Sequence, residues 1–179
     1  PFTYKEILSK KKEISNYLPL LLFLGLTSVG LFNSFVYVSL QYTQVINASL
    51  FNTAIPAAII LSCFIFKIEK TNFYQLLGLL ISVLGILVII TKFNLNILLN
   101  LDFNIGDIWM IGAVICWGLY SSFLKKLKLK ISLLSFVHIV CTCGLIFLLP
   151  QFGYEYFQGN AASIDKTFVY CLIYLALFP

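Results

Sequence analysis

The chain has 179 residues, of which 60% are hydrophobic and only 11% are charged, and its mean hydropathy is +0.97. These values exclude a soluble domain with an ordinary polar surface and indicate that the lipid bilayer is the solvent. The formal net charge of +5 comes from 12 lysines, ten of which lie at one set of ends of the apolar segments. No basic face remains for a phosphate backbone, so no nucleic-acid partner is expected.

Six apolar segments approach or reach the length of about 20 residues that a helix needs to cross a bilayer. A polar, partly helical connector at residues 1–16 precedes them. The predicted spans are 17–40, 46–66, 73–91, 105–124, 131–150 and the beginning of a sixth at 167–179. Between them lie the link 41–45, the tight turn 67–72, the looser link 92–104, the basic segment 125–130 and the polar loop 151–165. The sequence therefore predicts an all-α polytopic membrane protein.

Lysine content alternates from one connection to the next. One set of connections carries Lys5, Lys10, Lys11, Lys12, Lys67, Lys70, Lys125, Lys126, Lys128 and Lys130. The opposite set carries only Lys92 and Lys166. Because cytoplasmic connections are rich in lysine, residues 1–16, 67–72 and 125–130 are predicted to be cytoplasmic in a multi-pass protein of the cell membrane, inner or plasma. The outer loop carries aromatic residues that fit an interfacial belt: Phe152, Tyr154, Tyr156 and Phe157.

Polar side chains gather on one face of each of the first two predicted spans. At 100° per residue, one arc of the first span holds Gly30, Asn33, Ser34, Tyr37 and Gln41. An arc of similar width in the second span holds Ser49, Asn52, Thr53, Pro56 and Cys63. Polar groups at membrane depth must meet a cavity or another helix, so Asn33, Tyr37 and Asn52 are candidate solute-binding residues. Pro56 joins them because a kink is common near transport sites, although it is also common in ordinary membrane helices.

Small residues occupy the opposite face of the second span, at Ala54, Ala58 and Ser62. This spacing predicts a close helix–helix contact, because small side chains let two backbones approach. The same spacing recurs in the third span, at Gly78 and Ser82, and in the fourth, at Gly118 and Ser122. We interpret these faces as packing surfaces.

The fourth and fifth spans add three candidate solute-binding residues. Trp117 and Tyr120 share a face with Ala113 and Ser121, which makes an aromatic wall with hydroxyl groups; core packing is the alternative for both. His138 is an ionisable group inside a predicted span and is a functional candidate for that reason. A neutral imidazole that bonds a neighbouring helix is the alternative for His138.

Catalytic, metal and cofactor sites are not predicted. The sequence has no HExxH motif, no Gly-rich phosphate loop and no serine in a nucleophile elbow. The five cysteines all lie inside apolar segments, where they are interpreted as small packing residues: Cys63, Cys116, Cys141, Cys143 and Cys171. Cys141 and Cys143 are two residues apart on a predicted helix, so they face opposite ways and cannot share a metal ion. An enzyme is therefore not expected.

Residues 37–70 resemble the third-to-fourth helix region of EamA-type carriers in the drug/metabolite transporter superfamily. The matching positions there are Leu40, Tyr42, Thr43, Pro56 and Glu69. The next helix of that repeat is similar at Gln75, Gly78 and Gly85. The opening of the second repeat is similar at Gly106, Asp107, Trp117 and Tyr120. The resemblance covers nearly the whole chain, in the order and orientation that the lysines predict.

This resemblance implies ten spans arranged as a bundle of two inverted five-helix repeats, of which about six spans are present. Residues 1–91 would then be the end of the first repeat, 92–104 an outer linker and 105–179 the beginning of the second. The chain begins with Pro1 and stops within an apolar segment, so a piece of a longer protein is expected. The implied function is secondary transport of a small metabolite or drug-like solute by alternating access. An integral-membrane enzyme or a non-transporting assembly component is the alternative, and a homodimer is left open.

Overall fold

The computed structural model describes residues 2–69, 72–91, 104–159 and 165–177, and every regular element in these ranges is helical. The helices are α1 (Phe2–Ser9), α2 (Lys11–Asn16), α3 (Leu18–Gly25), a π-helical segment (Leu26–Phe32), α4 (Asn33–Leu40), α5 (Val45–Asn52), α6 (Ile55–Ile65), α7 (Phe73–Thr91), α8 (Ile105–Leu124), α9 (Leu133–Phe157) and α10 (Lys166–Leu177). Two compact units are present, Pro1–Phe147 and Leu148–Pro179. The packing that follows lies within the first unit.

Four helical stretches of the described residues are long and apolar enough to cross a membrane. They are Leu18–Leu40, Ala48–Ile65, Ile105–Leu124 and Leu133–Phe157. The described apolar part of α7, Phe73–Gly85, is shorter. The predicted all-α membrane fold is confirmed, and the bounds of α7 and α8 coincide with the spans predicted at 73–91 and 105–124.

The fifth span differs from its prediction at its C-terminal end. The sequence predicts a span at 131–150 and a polar loop at 151–165. In the structure Pro150 lies inside α9, which continues to Phe157. One proline removes a single N–H donor, and the hydrogen-bonding pattern resumes beyond it. The aromatic residues assigned to a loop therefore lie on the last turns of a helix, where they are exposed: Phe152, Tyr154, Tyr156 and Phe157.

The first span is a continuous helix whose middle seven residues have the wider π geometry. Side-chain donors bind backbone carbonyls around this segment. The Ser28 hydroxyl donates to the Leu24 carbonyl at 2.6 Å, and the Thr27 hydroxyl donates to the Phe23 carbonyl at 2.8 Å. The Asn33 amide donates to the Val29 carbonyl at 3.2 Å. Such side chains satisfy backbone groups when the regular i to i+4 pattern is interrupted.

The second span is interrupted at Thr53 and Ala54, between α5 and α6. Pro56 lies in the first turn of α6, where its missing N–H costs little. The two interrupting residues make shorter-range bonds instead, from Thr53 N to Leu50 O and from Ala54 N to Phe51 O. The predicted effect of Pro56 on this helix is thus confirmed as a break one turn before it.

Helix α8 lies at the centre of the first unit and contacts the π-helical segment, α3, α4, α5 and α6. At the contact with α6, a Cβ added to Gly118 would lie 2.8 Å from the Ala58 Cβ and 3.0 Å from the Ala58 carbonyl oxygen. The close contact predicted from these small residues is confirmed. The interpretation of Gly78 as a packing position is not matched within the described residues, because a Cβ there would have nothing within 4 Å.

Helices α3 and α9 cross at a pair of glycines that the sequence analysis did not single out. A Cβ on Gly25 would meet the Cys143 Cβ at 2.7 Å, and one on Gly144 would meet the Val29 Cβ at 2.4 Å. A hydrophobic cluster surrounds this crossing and consists of Leu21, Leu24, Ile139, Val140 and Cys143. Cys143 is buried while Cys141 is exposed, as their opposite helix faces require.

Candidate functional site

An aromatic row lies where the π-helical segment packs against α8. The Phe32 and Trp117 rings are 4.6 Å apart between centroids, and the Trp117 and Tyr120 rings are 5.3 Å apart. Tyr120 also packs against the cluster at the α3–α9 crossing. Trp117 and Tyr120 are both half-buried, so each has a packed side and an accessible side. The predicted aromatic wall is present, and Phe32 extends it.

Asn33 and Tyr37 lie one turn apart on α4, and both are exposed. The Tyr37 side chain is 64% exposed. The Asn33 amide N–H groups donate to the Val29 and Ser28 carbonyls, at 3.2 and 3.4 Å. These bonds use only the donors of Asn33, so among the described residues its amide oxygen stays available for a solute or water.

Asn52, Pro56 and His138 also lie on exposed helix surface. Asn52 ends α5, and Pro56 begins α6 on the other side of the break. His138 is on α9, where its backbone carbonyl accepts from the Thr142 hydroxyl at 2.8 Å. Ring contact thus joins Trp117 to Tyr120, while the other five predicted residues lie on exposed helix surface.

Titratable side chains gather at one end of the first unit, which we call the lysine-rich end and define as residues 2–16, 66–69 and 125–132. Here the Glu6 carboxylate of α1 accepts three hydrogen bonds at the beginning of α9. The donors are the Ser132 N–H at 2.9 Å and the Ser132 and Ser135 hydroxyls, each at 2.5 Å. These bonds lower the pKa of Glu6 to about 2. Lys10 adds a bond to the Lys130 carbonyl.

A second carboxylate at the lysine-rich end forms an ion pair. Glu69, just beyond α6, lies 2.5 Å from the Lys125 ammonium at the end of α8. The hydrogen bond from Lys125 to Glu69 raises the pKa of Lys125 above its ordinary value. The pair borders a cavity of about 50 Å³ that is also lined by Ile59, Ile60, Cys63 and Gln75. The Lys126 ammonium lies 4.6 Å from the centre of the Phe123 ring.

The opposite end is held by the N-terminal cap of α8. The Asn104 side chain accepts from the Gly106 and Asp107 N–H groups, and the Asp107 carboxylate accepts from the Asn104 N–H, so that Asn104 and Asp107 form a capping box. The same residues reach the end of α4. Asn104 donates to the Tyr42 carbonyl, and the Thr43 hydroxyl donates to Asp107 at 3.3 Å.

The structure therefore groups residues as the predicted topology requires. Connections predicted to be cytoplasmic meet at the lysine-rich end, and the residues directly after α4 and at the start of α8 meet at the other. The role of Glu6 was not predicted from the sequence. Its signal is weak, because Glu6 is one of two acidic residues, with Glu13, in a connector that carries four lysines.

Comparison with protein families places these observations in context. The model of the EamA-like transporter family matches residues 2–91 and 104–179. No solved structure matches the chain significantly.

Three curated relatives are similar to the chain. It is 29% identical over 112 residues to the uncharacterized transporter YyaM of Bacillus subtilis, an alignment that covers 62% of this chain and 36% of that protein. It is 28% identical over 155 residues to an uncharacterized transporter of Archaeoglobus fulgidus, covering 86% and 52%. A third, from Haemophilus influenzae, is 29% identical over 155 residues, covering 83% and 50%. The chain thus spans about half, or less, of the length of these relatives.

Proposed function

Because the chain belongs to the EamA-like transporter family, we propose that the full-length protein carries a small polar or amphipathic solute across a cell membrane by alternating access. One observation carries this proposal. The first two spans are each interrupted near their middle, by the π-helical segment and by the break at Thr53, and both pack against α8. Departures from regular α-helix geometry inside the membrane, π-helical turns among them, are common at the substrate sites of carriers.

The proposed solute-binding residues lie on the helices around these interruptions: Asn33, Tyr37, Asn52, Pro56, Trp117, Tyr120 and His138. Leaving an amide or hydroxyl group unpaired in hydrocarbon costs on the order of 1–3 kcal/mol. The exposed Asn33, Tyr37 and Asn52 are therefore expected to meet water, solute or the helices of the remaining protein. The half-buried Trp117 and Tyr120 rings offer an aromatic surface to the apolar part of the solute.

The lysine-rich end is proposed to be cytoplasmic, since it collects nine of the 12 lysines. Residues 1–91 and 105–179 are proposed to belong to two five-helix repeats of opposite orientation, joined by an outer linker at 92–104. Two such repeats allow the protein to open to one side of the membrane at a time.

The test of this function begins by identifying the solute. Metabolites are compared between cells with and without the full-length gene, and the uptake of those that differ is measured in membrane vesicles. The Asn52→Leu, Asn33→Leu and Tyr37→Phe variants are then assayed for uptake and for melting temperature. If Asn52 binds solute, Asn52→Leu abolishes most of the uptake while the melting temperature stays near that of the wild type.

Asn16→Leu is the matched control, because Asn16 is exposed at the end of α2 and lies outside the proposed site. We expect it to transport normally. A parallel decline of uptake and melting temperature in Asn52→Leu would assign Asn52 to helix packing. Wild-type uptake by all three variants would reject the proposed site.

A further inference from the structure

The lysine-rich end joins the two parts of the chain that flank residues 92–104. Glu6 and Glu69 both precede this linker, whereas their partners Lys125, Ser132 and Ser135 all follow it. Both carboxylates act at the ends of helices in the later part, at the C-terminus of α8 and at the N-terminus of α9. Two separate places at this end thus tie the earlier part of the chain to the later part.

We infer that Glu6 and Glu69 form a two-point latch, which holds the lysine-rich end closed and is released when that end opens. This inference rests on the proposed transport function and names the contacts that one half of the transport cycle must break. The latch consists of the Glu69–Lys125 ion pair and the bonds from Ser132 and Ser135 to Glu6.

Charge explains why carboxylates are needed at these two places. The segments that meet at this end are rich in lysine, so their like charges repel one another when they are brought together. Glu69 neutralises Lys125 directly. Glu6 places a negative charge at the N-terminus of α9, where the helix dipole and the free N–H groups favour it. Without the two carboxylates, neither contact would offset the repulsion between these lysines.

The exposure of these contacts suits a device that opens and closes. Glu69 and Lys125 are 52% and 41% exposed, so water readily replaces each partner when the pair separates. Exposed ion pairs are individually weak and can be broken without a large barrier.

Two native thiols report on the two halves of the latch. Cys63 is buried and lines the cavity beside Glu69 and Lys125. Cys143 is buried in the hydrophobic cluster that Ile7, the neighbour of Glu6, helps to cover. Opening of the lysine-rich end should therefore expose both thiols to alkylation.

The experiment uses full-length protein in two backgrounds, one with Cys63 and the other with Cys143 as the single cysteine. The rate of alkylation by N-ethylmaleimide is measured for wild type, Glu6→Gln and Glu69→Gln. A latch predicts that each substitution raises the alkylation rate of both thiols by about two- to fivefold, as expected for the loss of exposed polar ties. The result that distinguishes a latch from two independent contacts is an effect at a distance. Glu6→Gln should expose Cys63, which lies beside the other carboxylate, Glu69. The charge exchange Glu69→Lys with Lys125→Glu should restore the wild-type rate.

Glu13→Gln and Lys128→Gln are matched controls, since each removes one charge from an exposed residue of the same end. They should leave both rates unchanged, and equal increases in the controls would overturn the latch. If each carboxylate variant exposes only the thiol beside it, the contacts are two local ties and the latch is rejected. If Glu6→Gln lowers the melting temperature, Ser132→Ala replaces it as the test of that half, because Ser132 is exposed and its hydroxyl also binds Glu6.

Failure of the latch can be told apart from failure of the transport proposal. Alkylation rates that do not respond, in a protein whose wild type takes up solute, overturn the latch alone. Absence of uptake by the wild type rejects transport and, with it, the assignment of the latch to a transport cycle.

Discussion

The two ends of the first unit are held together in different ways. At the lysine-rich end, long side chains bridge separate segments through Glu69 with Lys125 and through Glu6 with Ser132 and Ser135. At the opposite end, the short side chains of Asn104, Asp107 and Thr43 bind beside a tight backbone contact. The contacts at the lysine-rich end depend on charge and remain partly exposed. The contacts at the opposite end depend on the close approach of two backbones and on a helix cap.

This difference indicates which change disturbs each end. A change of charge should loosen the lysine-rich end and leave the other largely intact, because exposed ion pairs respond to charge and screening. An increase of side-chain volume should disturb the opposite end and leave the lysine-rich end largely intact, because a close backbone contact has no room to adjust.

The largest expected effect is the labelling of introduced cysteines from outside the cell, which is all or none because each end of the first unit lies on one side of the membrane. Lys11→Cys and Lys126→Cys, each made in a cysteine-free full-length protein, should resist a membrane-impermeant thiol reagent in intact cells. Gly159→Cys, in the segment that follows α9, should react. Labelling of the cysteine at position 126 from outside the cell would reverse the proposed orientation.

A substitution of Gly106 tests the close contact at the opposite end. A Cβ at this position would lie 2.8 Å from the Ser39 carbonyl oxygen and 3.1 Å from the Thr43 amide nitrogen. Because the obstructing atoms belong to the backbone, Gly106→Ala should lower the free energy of unfolding by about 1–3 kcal/mol. Thermal unfolding in detergent measures this loss. Gly78→Ala is the control, since a Cβ there meets nothing within 4 Å, and equal losses in both variants would refute the explanation.

Two fully buried serines provide a smaller contrast between the ends. The Ser135 hydroxyl binds the Glu6 carboxylate, whereas the Ser39 hydroxyl has no hydrogen-bond partner among the described residues. Ser135→Ala should therefore destabilise the protein by about 1 kcal/mol, and Ser39→Ala should be neutral or stabilise it by up to about 1 kcal/mol. Melting temperatures of the two variants check this. Destabilisation of similar size in both would show that Ser39 has an unseen partner.

The smallest effect is a pH dependence confined to the lysine-rich end. The pKa of Glu6 is lowered on folding to about 2 from its ordinary value of 4.5. The contribution of the Glu6 carboxylate to stability is therefore complete above pH 4.5 and is lost as the pH falls towards about 2. Hydrogen exchange at the beginning of α9, corrected for the intrinsic rate at each pH, should rise over this interval. The increase should be missing in Glu6→Gln, and an equal increase in that variant would exclude Glu6 as its cause.

Much of the fold follows from hydrophobic length and spacing alone. Helix α8 begins and ends where the apolar segment does, because Asn104 and Asp107 cap one end and lysines follow the other. The contact of Ala58 with Gly118 was predictable for a similar reason, since both small residues lie on faces with a four-residue spacing. The same spacing at Gly78 gave no contact with the described residues, because spacing marks a face that can pack closely but does not name its partner.

The candidate site was less predictable from the sequence. The contact of Trp117 with Tyr120 is local to one helix, so it could be read from their spacing. Its extension to Phe32 requires two helices to cross, which no single segment encodes. The ties made by Glu6 and Glu69 join residues far apart in the chain. A carboxylate in a lysine-rich connector is visible in the sequence, but its partner is fixed only by the packing of the helices.

The π-helical segment changes how the first span must be drawn on a helical wheel. An α-helix turns by 100° per residue, and the wider π turn advances by only about 80°. Over the seven residues of Leu26–Phe32, the deficit adds up to about 140°, or about two-fifths of a turn. Residues of α4 are therefore displaced around the axis relative to those of α3. Substitution scans across residues 18–40 need two wheels, joined at Phe32, for their periodicity to identify the face that packs against α8.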